Sequence, residues 1–344
     1  MKKLLPRRRK NEAPTRITNE TVAEHRERIL AGGRRFKYPM QYARHKLVFN
    51  TIIVAVVALI LIVVVGWWQL YSVQNTSNFM YRVTRILPLP VASVDGEAVR
   101  YSDYLMSYNA SIHYLQQSEQ LDLNSENGKR QVDFNKRQSM DNAISDAYAG
   151  KLARDLGITV TKDQIDQVID DDRNTANGRI SQETYDASAL NILGWGPEEY
   201  RQDAKSKLIR KEVSYRIDTN ADNRQKKAAE LLKDPSANFD TVAATLGGEG
   251  SAKVIAGVSG LVPTTNRDAG LSKAASKLEV GQVSPVIKTT TGDGYYFVKL
   301  LEKSDKQINY AYVRIPLTVF EDKLAALKKD GKVKEYIKLT EQNN

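Results

Sequence analysis

Hydrophobic positions fall into three regimes along the chain. From Leu47 to Tyr81 there is no charged residue, and the run LVFNTIIVAVVALILIVVVGWW supplies the roughly 20 apolar residues needed to cross a hydrocarbon layer. Beyond it, apolar residues recur at helical spacing. Nearer the C-terminus they form short runs bounded by Gly, Pro, Thr and Asp, as strands and turns do. The pattern predicts an α+β chain: one transmembrane helix over 47–70, a linker over 71–90, a mostly helical domain over 91–217 and a small α/β domain over 218–317.

Punctuation residues place the elements. Thr21-Val-Ala-Glu24 fits a capping box and Gly32-Gly33 a stop for one helix ahead of the apolar run. Leu87-Pro88-Leu89-Pro90 is a stiff, non-helical entry. Val91 to Arg100 alternates around Asp95-Gly96, a pair suited to a tight hairpin. Ser102, Thr161 and Ser181 are candidate N-caps, Gly157 a stop, and Pro197 a first helical residue after Gly194-Trp195-Gly196. Asp170-Asp171-Asp172 is expected on a solvated face, since adjacent helical carboxylates point in different directions. Thr289 to Glu302, TTTGDGYYFVKLLE, is a polar turn feeding an apolar strand. Val319, Leu324, Leu327, Val333, Ile337 and Leu339 mark helical stretches interrupted near Gly331.

Charge changes the picture at one end only. Residues 1–46 hold fourteen Lys/Arg against four Glu, and the remaining chain is balanced at 37 of each sign. The basic excess therefore belongs to a tail, and nucleic-acid binding by the folded part is not indicated. Arg44, His45 and Lys46 abut the apolar run on one side and Trp67, Trp68 and Tyr71 form an aromatic belt on the other. By the positive-inside rule the tail is cytoplasmic and everything after about residue 70 lies outside. The long preceding region and the absence of a small-x-small site predict an uncleaved signal anchor, with the tail touching anionic lipid. Cysteine is absent and only His25, His45 and His113 are present, which leaves little material for a disulfide frame, a thiolate nucleophile, a metal site or a Ser-His-Asp triad. No phosphate-binding loop occurs, and no cofactor is expected.

The hairpin VASVDGEAV, the helix ending AGKLARDLGITVTKDQID and the helix beginning GWGPEEYRQDAKSKLIRKEV resemble the N-terminal chaperone domain of SurA, PpiD and PrsA. These are bacterial extracytoplasmic foldases that pair such a domain with a parvulin-type prolyl isomerase. The resemblance covers about Val91 to Ile217 and implies that a C-terminal helix over 318–340 returns to complete the domain. The following segment resembles a parvulin domain in part: Gln225 to Leu232 with Phe239, Val242, Ala243 and Leu246; GLVP at 260–263; and Gly270 to Leu300. The family's last strand begins Gly-Tyr-His, whereas this chain has Gly294-Tyr295-Tyr296. Its first strand is missing between Ile217 and Gln225, and Ile308 to Leu317 is the candidate to fill that slot.

The resemblance implies a membrane-anchored foldase that binds unfolded or newly exported polypeptides without ATP, with membrane lipid and the translocon as further partners. Tyr101, Tyr104, Tyr108, Tyr114 and Tyr296 are candidate peptide contacts, with core packing as the competing role. Tyrosine at the histidine position argues against efficient isomerisation, and none of the three histidines lies in that domain. A divergent isomerase and a non-enzymatic envelope scaffold are the alternatives. A scaffold would lack an exposed apolar groove.

Overall fold

The computed structural model describes residues 17–340 except 176, 177 and 235, with backbone alone over 32–44. Residues 1–16 of the basic tail and the side chains of Arg34, Arg35, Lys37 and Arg44 lie outside the described residues. Two compact units divide at Val73 and Gln74. The first is built on one helix, α1 (Asn19–Tyr71), capped by Thr18, which exchanges bonds with Thr21. The capping box therefore starts three residues before the predicted Thr21, and Gly32-Gly33 does not stop the helix. Each glycine costs only about 1 kcal/mol relative to alanine, which the helical residues on either side outweigh. Within α1, His45–Tyr71 is long and apolar enough to cross a membrane, about 40 Å at 1.5 Å per residue.

The second unit is α+β and mostly helical. It opens with α2 (Asn78–Ile86), a helix inside the segment predicted as linker, capped by Ser77 and stopped ahead of Pro88. The hairpin β1 (Pro90–Val94) and β2 (Glu97–Arg100) turns at Asp95 and Gly96, both at positive φ as the tight turn requires. Strand β2 runs directly into α3 (Tyr101–Gln117), so Arg100 rather than Ser102 is the N-cap, and the Tyr101 N–H is satisfied by the Leu89 carbonyl at 2.8 Å. Then follow α4 (Glu126–Asp155), α5 (Lys162–Asp172), the short hairpin β3 (Asn174–Thr175) and β4 (Gly178–Arg179), α6 (Gln182–Leu193) and α7 (Pro197–Ile217). Thr161, Ser181 and Pro197 take their predicted places, and Gly157 and Gly194 end helices at positive φ. Val91, Val94, Val99, Leu105, Met140 and Ile144 are fully buried and form the heart of this region.

Helices α8 (Thr219–Leu231) and α9 (Phe239–Leu246) lead into an antiparallel sheet ordered β5-β9-β8-β7, with β6 also paired to β9. Its strands are β5 (Ile255–Val258), β6 (Val262–Pro263), β7 (Ile287–Lys288), β8 (Gly294–Lys303) and β9 (Gln307–Pro316), and α10 (Leu271–Ala275) precedes β7. Strand β5 was not foreseen, and GLVP contributes only the two residues of β6. The expected late strand is β9, central in the sheet: Val313 pairs with Phe297 of β8 and with Ala256 of β5. Period-2 alternation sends Tyr295, Phe297, Val313 and Ile315 to the face under α8 and α9, and Tyr296, Val298, Leu300 and Tyr310 to the face under α10. Burial on both faces explains why the strands read as nearly continuous apolar runs.

The chain then returns to the start of this unit. Helix α11 (Val319–Lys329) sets Phe320 against Tyr148 of α4, their rings 5.5 Å apart. Gly331 at positive φ ends it, and β10 (Val333–Glu335) pairs with β1. The segment 318–340 is therefore a helix followed by a strand. Val333 and Ile337 fit either period, and the unpaired edge of β1 selects the extended one. Arg137 of α4 holds Glu335 at 2.6 Å and Lys328 reaches Asp141 at 2.8 Å.

Candidate functional site

Tyr296 stands on β8 at the position where the parvulin pattern has histidine, and its surroundings define what it can do. Its hydroxyl donates to Asp293 Oδ2 at 2.7 Å, and the same carboxylate accepts from Thr289 and Thr291, each at 2.7 Å, and faces Arg314 Nε at 3.2 Å. Arg314 is the residue opposite Tyr296 on β9, so register alone places guanidinium beside phenol. Burial pushes the Tyr296 hydroxyl well above the usual phenol range, reinforced by the bond to Asp293 and by its charge. For Asp293, burial acts upward, but the hydroxyl donors Thr291, Thr289 and Tyr296, with Arg314, outweigh it and hold the carboxyl below its usual range. A phenol that is protonated and already committed to a carboxylate is neither a base nor a free donor. The side chain, 8% exposed, is a packed sheet residue. Asp293 and Arg314 carried no local signal, because their relation to Tyr296 depends on strand register.

A second tyrosine–carboxylate pair lies on the same face. Tyr310 donates to Asp268 Oδ2 at 2.6 Å, and the Ser272 hydroxyl donates to that carboxylate as well. Burial again acts upward on Asp268, and the bonds from Ser272 and Tyr310 win, so that its carboxyl is lowered. These bonds fix the loop before α10.

A cleft of about 710 Å³ separates α5 and α7 from the loops around Arg267 and Thr291. Val168 and Leu208 supply its apolar wall and Thr264, Thr290 and Thr291 a polar one. Arg267 crosses its mouth, donating to the carbonyls of Asp172 at 2.7 Å and Asn174 at 3.1 Å, and Lys273 faces Asp171 at 3.3 Å. Asp171 and Asp172 are exposed, as expected of a solvated face, and the run also makes ion pairs and backbone contacts there. Asp170 meets Arg173 and Arg179, and the carboxyl of Asp172 is raised by partial desolvation against the opposing charge of Arg267.

Of the tyrosines expected at a peptide surface, Tyr101, Tyr104 and Tyr108 are buried and follow one another in series, with ring centroids 5.8 and 6.1 Å apart. This corrects their candidacy: a side chain enclosed between α3 and its neighbours has no surface to offer. Tyr114 is exposed. One residue earlier, His113 Nε2 lies 3.0 Å from the Asn191 carbonyl, which brings that part of α3 beside the end of α6. Helix α6 buries none of its residues and presents Leu190 at 60% and Ile192 at 41% exposure; Leu190 shares the helical apolar spacing of Tyr185 and Leu193, and Ile192 lies outside it. At the apolar helix, Lys46, Trp67 and Trp68 are exposed, and Tyr71 lies 5.9 Å from the Trp67 ring.

The SurA-like N-terminal domain model matches residues 40–214, just over half of the 344-residue chain. The chain belongs to the SurA-like family. The match begins ahead of the resemblance at Val91 and takes in the apolar helix and α2 as well as α3 to α7. It ends before the sheet, where the parvulin resemblance begins. No curated protein matches the chain. Membership of a SurA-like family brings a chaperone-type function and an extracytoplasmic setting.

Proposed function

We propose that the protein is a membrane-anchored extracytoplasmic chaperone that binds unfolded or newly exported polypeptides without ATP. The observation that carries this is α6: within a SurA-like domain, a helix with no buried residue holds Leu190 and Ile192 in solvent beside the Tyr114 segment. Exposed aliphatic and aromatic side chains on packed helices suit extended apolar segments of a client. They also weigh against a plain envelope scaffold. In this reading 1–46 is a cytoplasmic tail, 47–70 the anchor, 91–217 with the returning C-terminal segment the chaperone domain, and 218–317 a degenerate parvulin-like domain. Anionic lipid meets the tail, and clients arrive from the translocon.

The reading is tested with the full chain in lipid nanodiscs and a chemically unfolded client, without nucleotide. Client aggregation is expected to fall, and Leu190→Ser with Ile192→Ser is expected to abolish the effect while thermal stability is kept. Absence of any protection by the folded wild type would remove the proposal. The parvulin-like sheet does no chemistry in this reading, because Tyr296 is committed to Asp293. Isomerisation of a short Xaa-Pro peptide is expected at its spontaneous rate, and an acceleration lost in Tyr296→Ala would restore the isomerase reading.

A further inference from the structure

Helix α2 presents a stripe that the second unit leaves uncovered. Phe79, Arg82 and Ile86 fall at i, i+3 and i+7 on one side, and Leu87 follows. Phe79, Ile86 and Leu87 are 67%, 82% and 53% exposed, unusual for large apolar side chains on a nine-residue helix. The stripe is not free to roll inward, because the other side of α2 is tied down. Thr84 is buried, with its hydroxyl donating to Met80 O at 2.9 Å. The Tyr81 hydroxyl donates to Glu199 Oε1 at 3.1 Å, and Arg85 bridges Glu198 at 2.5 Å and Glu199 at 2.9 Å on the first turn of α7.

The chain itself indicates what covers the stripe. The apolar helix ends at Tyr71 and α2 begins at Asn78, so the seven steps between them span at most about 25 Å. The headgroup layer occupies about 5–8 Å on each side of the hydrocarbon, well inside that tether. Between Glu27 and Asp95 there is no acidic residue, and Arg82 and Arg85 are the only charges from Leu47 to Val94. An apolar stripe with an arginine at its centre and no carboxylate suits a phospholipid surface: the rings and aliphatic chains enter the headgroup boundary and the guanidinium reaches phosphate.

We propose that α2 is an interfacial helix that lays Phe79, Ile86 and Leu87 into the outer leaflet and fixes which side of the extracytoplasmic unit faces the membrane. The proposal rests on the reading of His45–Tyr71 as a membrane span, and the test separates the two. The chain has no cysteine, so single-cysteine variants need no background substitution. Full-length Val57→Cys, Ile86→Cys and Val280→Cys carry a nitroxide in phosphatidylcholine–phosphatidylglycerol vesicles. Electron paramagnetic resonance then compares access to dissolved oxygen with access to a water-soluble nickel chelate. The label at Ile86 is expected to be several-fold less accessible to the chelate than that at Val280, which is 64% exposed on a distant chain segment. A label at Ile86 as wet as that at Val280, with Val57 in lipid, overturns the interfacial helix and leaves the anchor standing. A wet Val57 overturns the anchor and the proposal together. Adding Arg82→Glu is expected to move the Ile86 label toward water, and an unchanged label would overturn the phosphate contact.

Discussion

Asp218 ties two helix starts that lie a hundred residues apart. It is 2% exposed and is the N-cap of α8, with Oδ1 accepting the Ala221 N–H at 2.9 Å. Its other oxygen accepts the N–H groups of Thr318 at 2.8 Å and Val319 at 3.3 Å, at the first turn of α11. Asp218→Ala removes the cap, about 1 kcal/mol, and strands two more amide donors formerly bound to a carboxylate, about 2–3 kcal/mol. A loss of about 3–4 kcal/mol in urea unfolding is expected. Asp218→Ser keeps the α8 cap but cannot reach α11, so it isolates the second contribution at about 2–3 kcal/mol. Hydrogen exchange at residues 221, 318 and 319 provides the local readout. In Asp218→Ser, protection is expected to persist at Ala221 and to fall at Thr318 and Val319. If that variant matched wild type in both stability and exchange, the bond between the segments would contribute nothing, and the reasoning would fail.

Three further outcomes follow from the same geometry. Asp146 is raised to about 6 by burial, with the like charges of Asp203 and Asp103 adding to it and Arg210, 3.5 Å away, opposing. The folded state therefore holds this proton more tightly, its contribution to stability declines as pH rises from about 4 to 6, and Asp146→Asn is expected to gain about 1–2 kcal/mol at pH 7.5 and nothing at pH 4, by urea titration at both values. The buried Tyr104 hydroxyl has no hydrogen-bond partner among the described residues, so Tyr104→Phe is expected to raise stability by about 1 kcal/mol, and a loss in calorimetry would refute this. A Cβ on Gly294 would lie 2.5 Å from the Ile315 carbonyl oxygen, so Gly294→Ala is expected to cost about 1–3 kcal/mol and to weaken protection at the start of β8, as hydrogen exchange would report.

Local rules were readable where one segment decides its own structure. The Asp95-Gly96 turn, the Thr161 and Ser181 caps and Pro197 at a helix start each depend on neighbours within four residues. Helix α2 carried the same signals, Ser77 ahead of Phe79, Met80 and Val83, but Pro88 and Pro90 drew the whole stretch into a linker. What escaped was register and return. The Tyr296–Asp293–Arg314 cluster exists only because Tyr296 pairs with Arg314, and a one-residue slip would reverse every face. Asp218 gave no sign of Thr318, and the choice of strand for Val333 to Glu335 was made by the waiting edge of β1.

The returning strand sets an order on how the protein is made. The hairpin β1–β2 gains its third strand from β10, where Val94 meets Val333 across nearly the whole second unit. Contacts of such sequence separation form late, because loop closure must precede the gain from pairing. Until residue 335 emerges, β1 keeps an open edge and Arg137 lacks Glu335, while Tyr148 waits for Phe320. The helices α3 and α6 that display Tyr114, Leu190 and Ile192 have no such dependence, since α3 packs on α4 and α6, which precede the sheet in the chain. The exposed surface of Tyr114, Leu190 and Ile192 is therefore built from the early part of the chain, and the last segment closes the hairpin edge. Under the proposed chaperone reading, that order leaves the open edge of β1 to be closed by the chain's own returning segment.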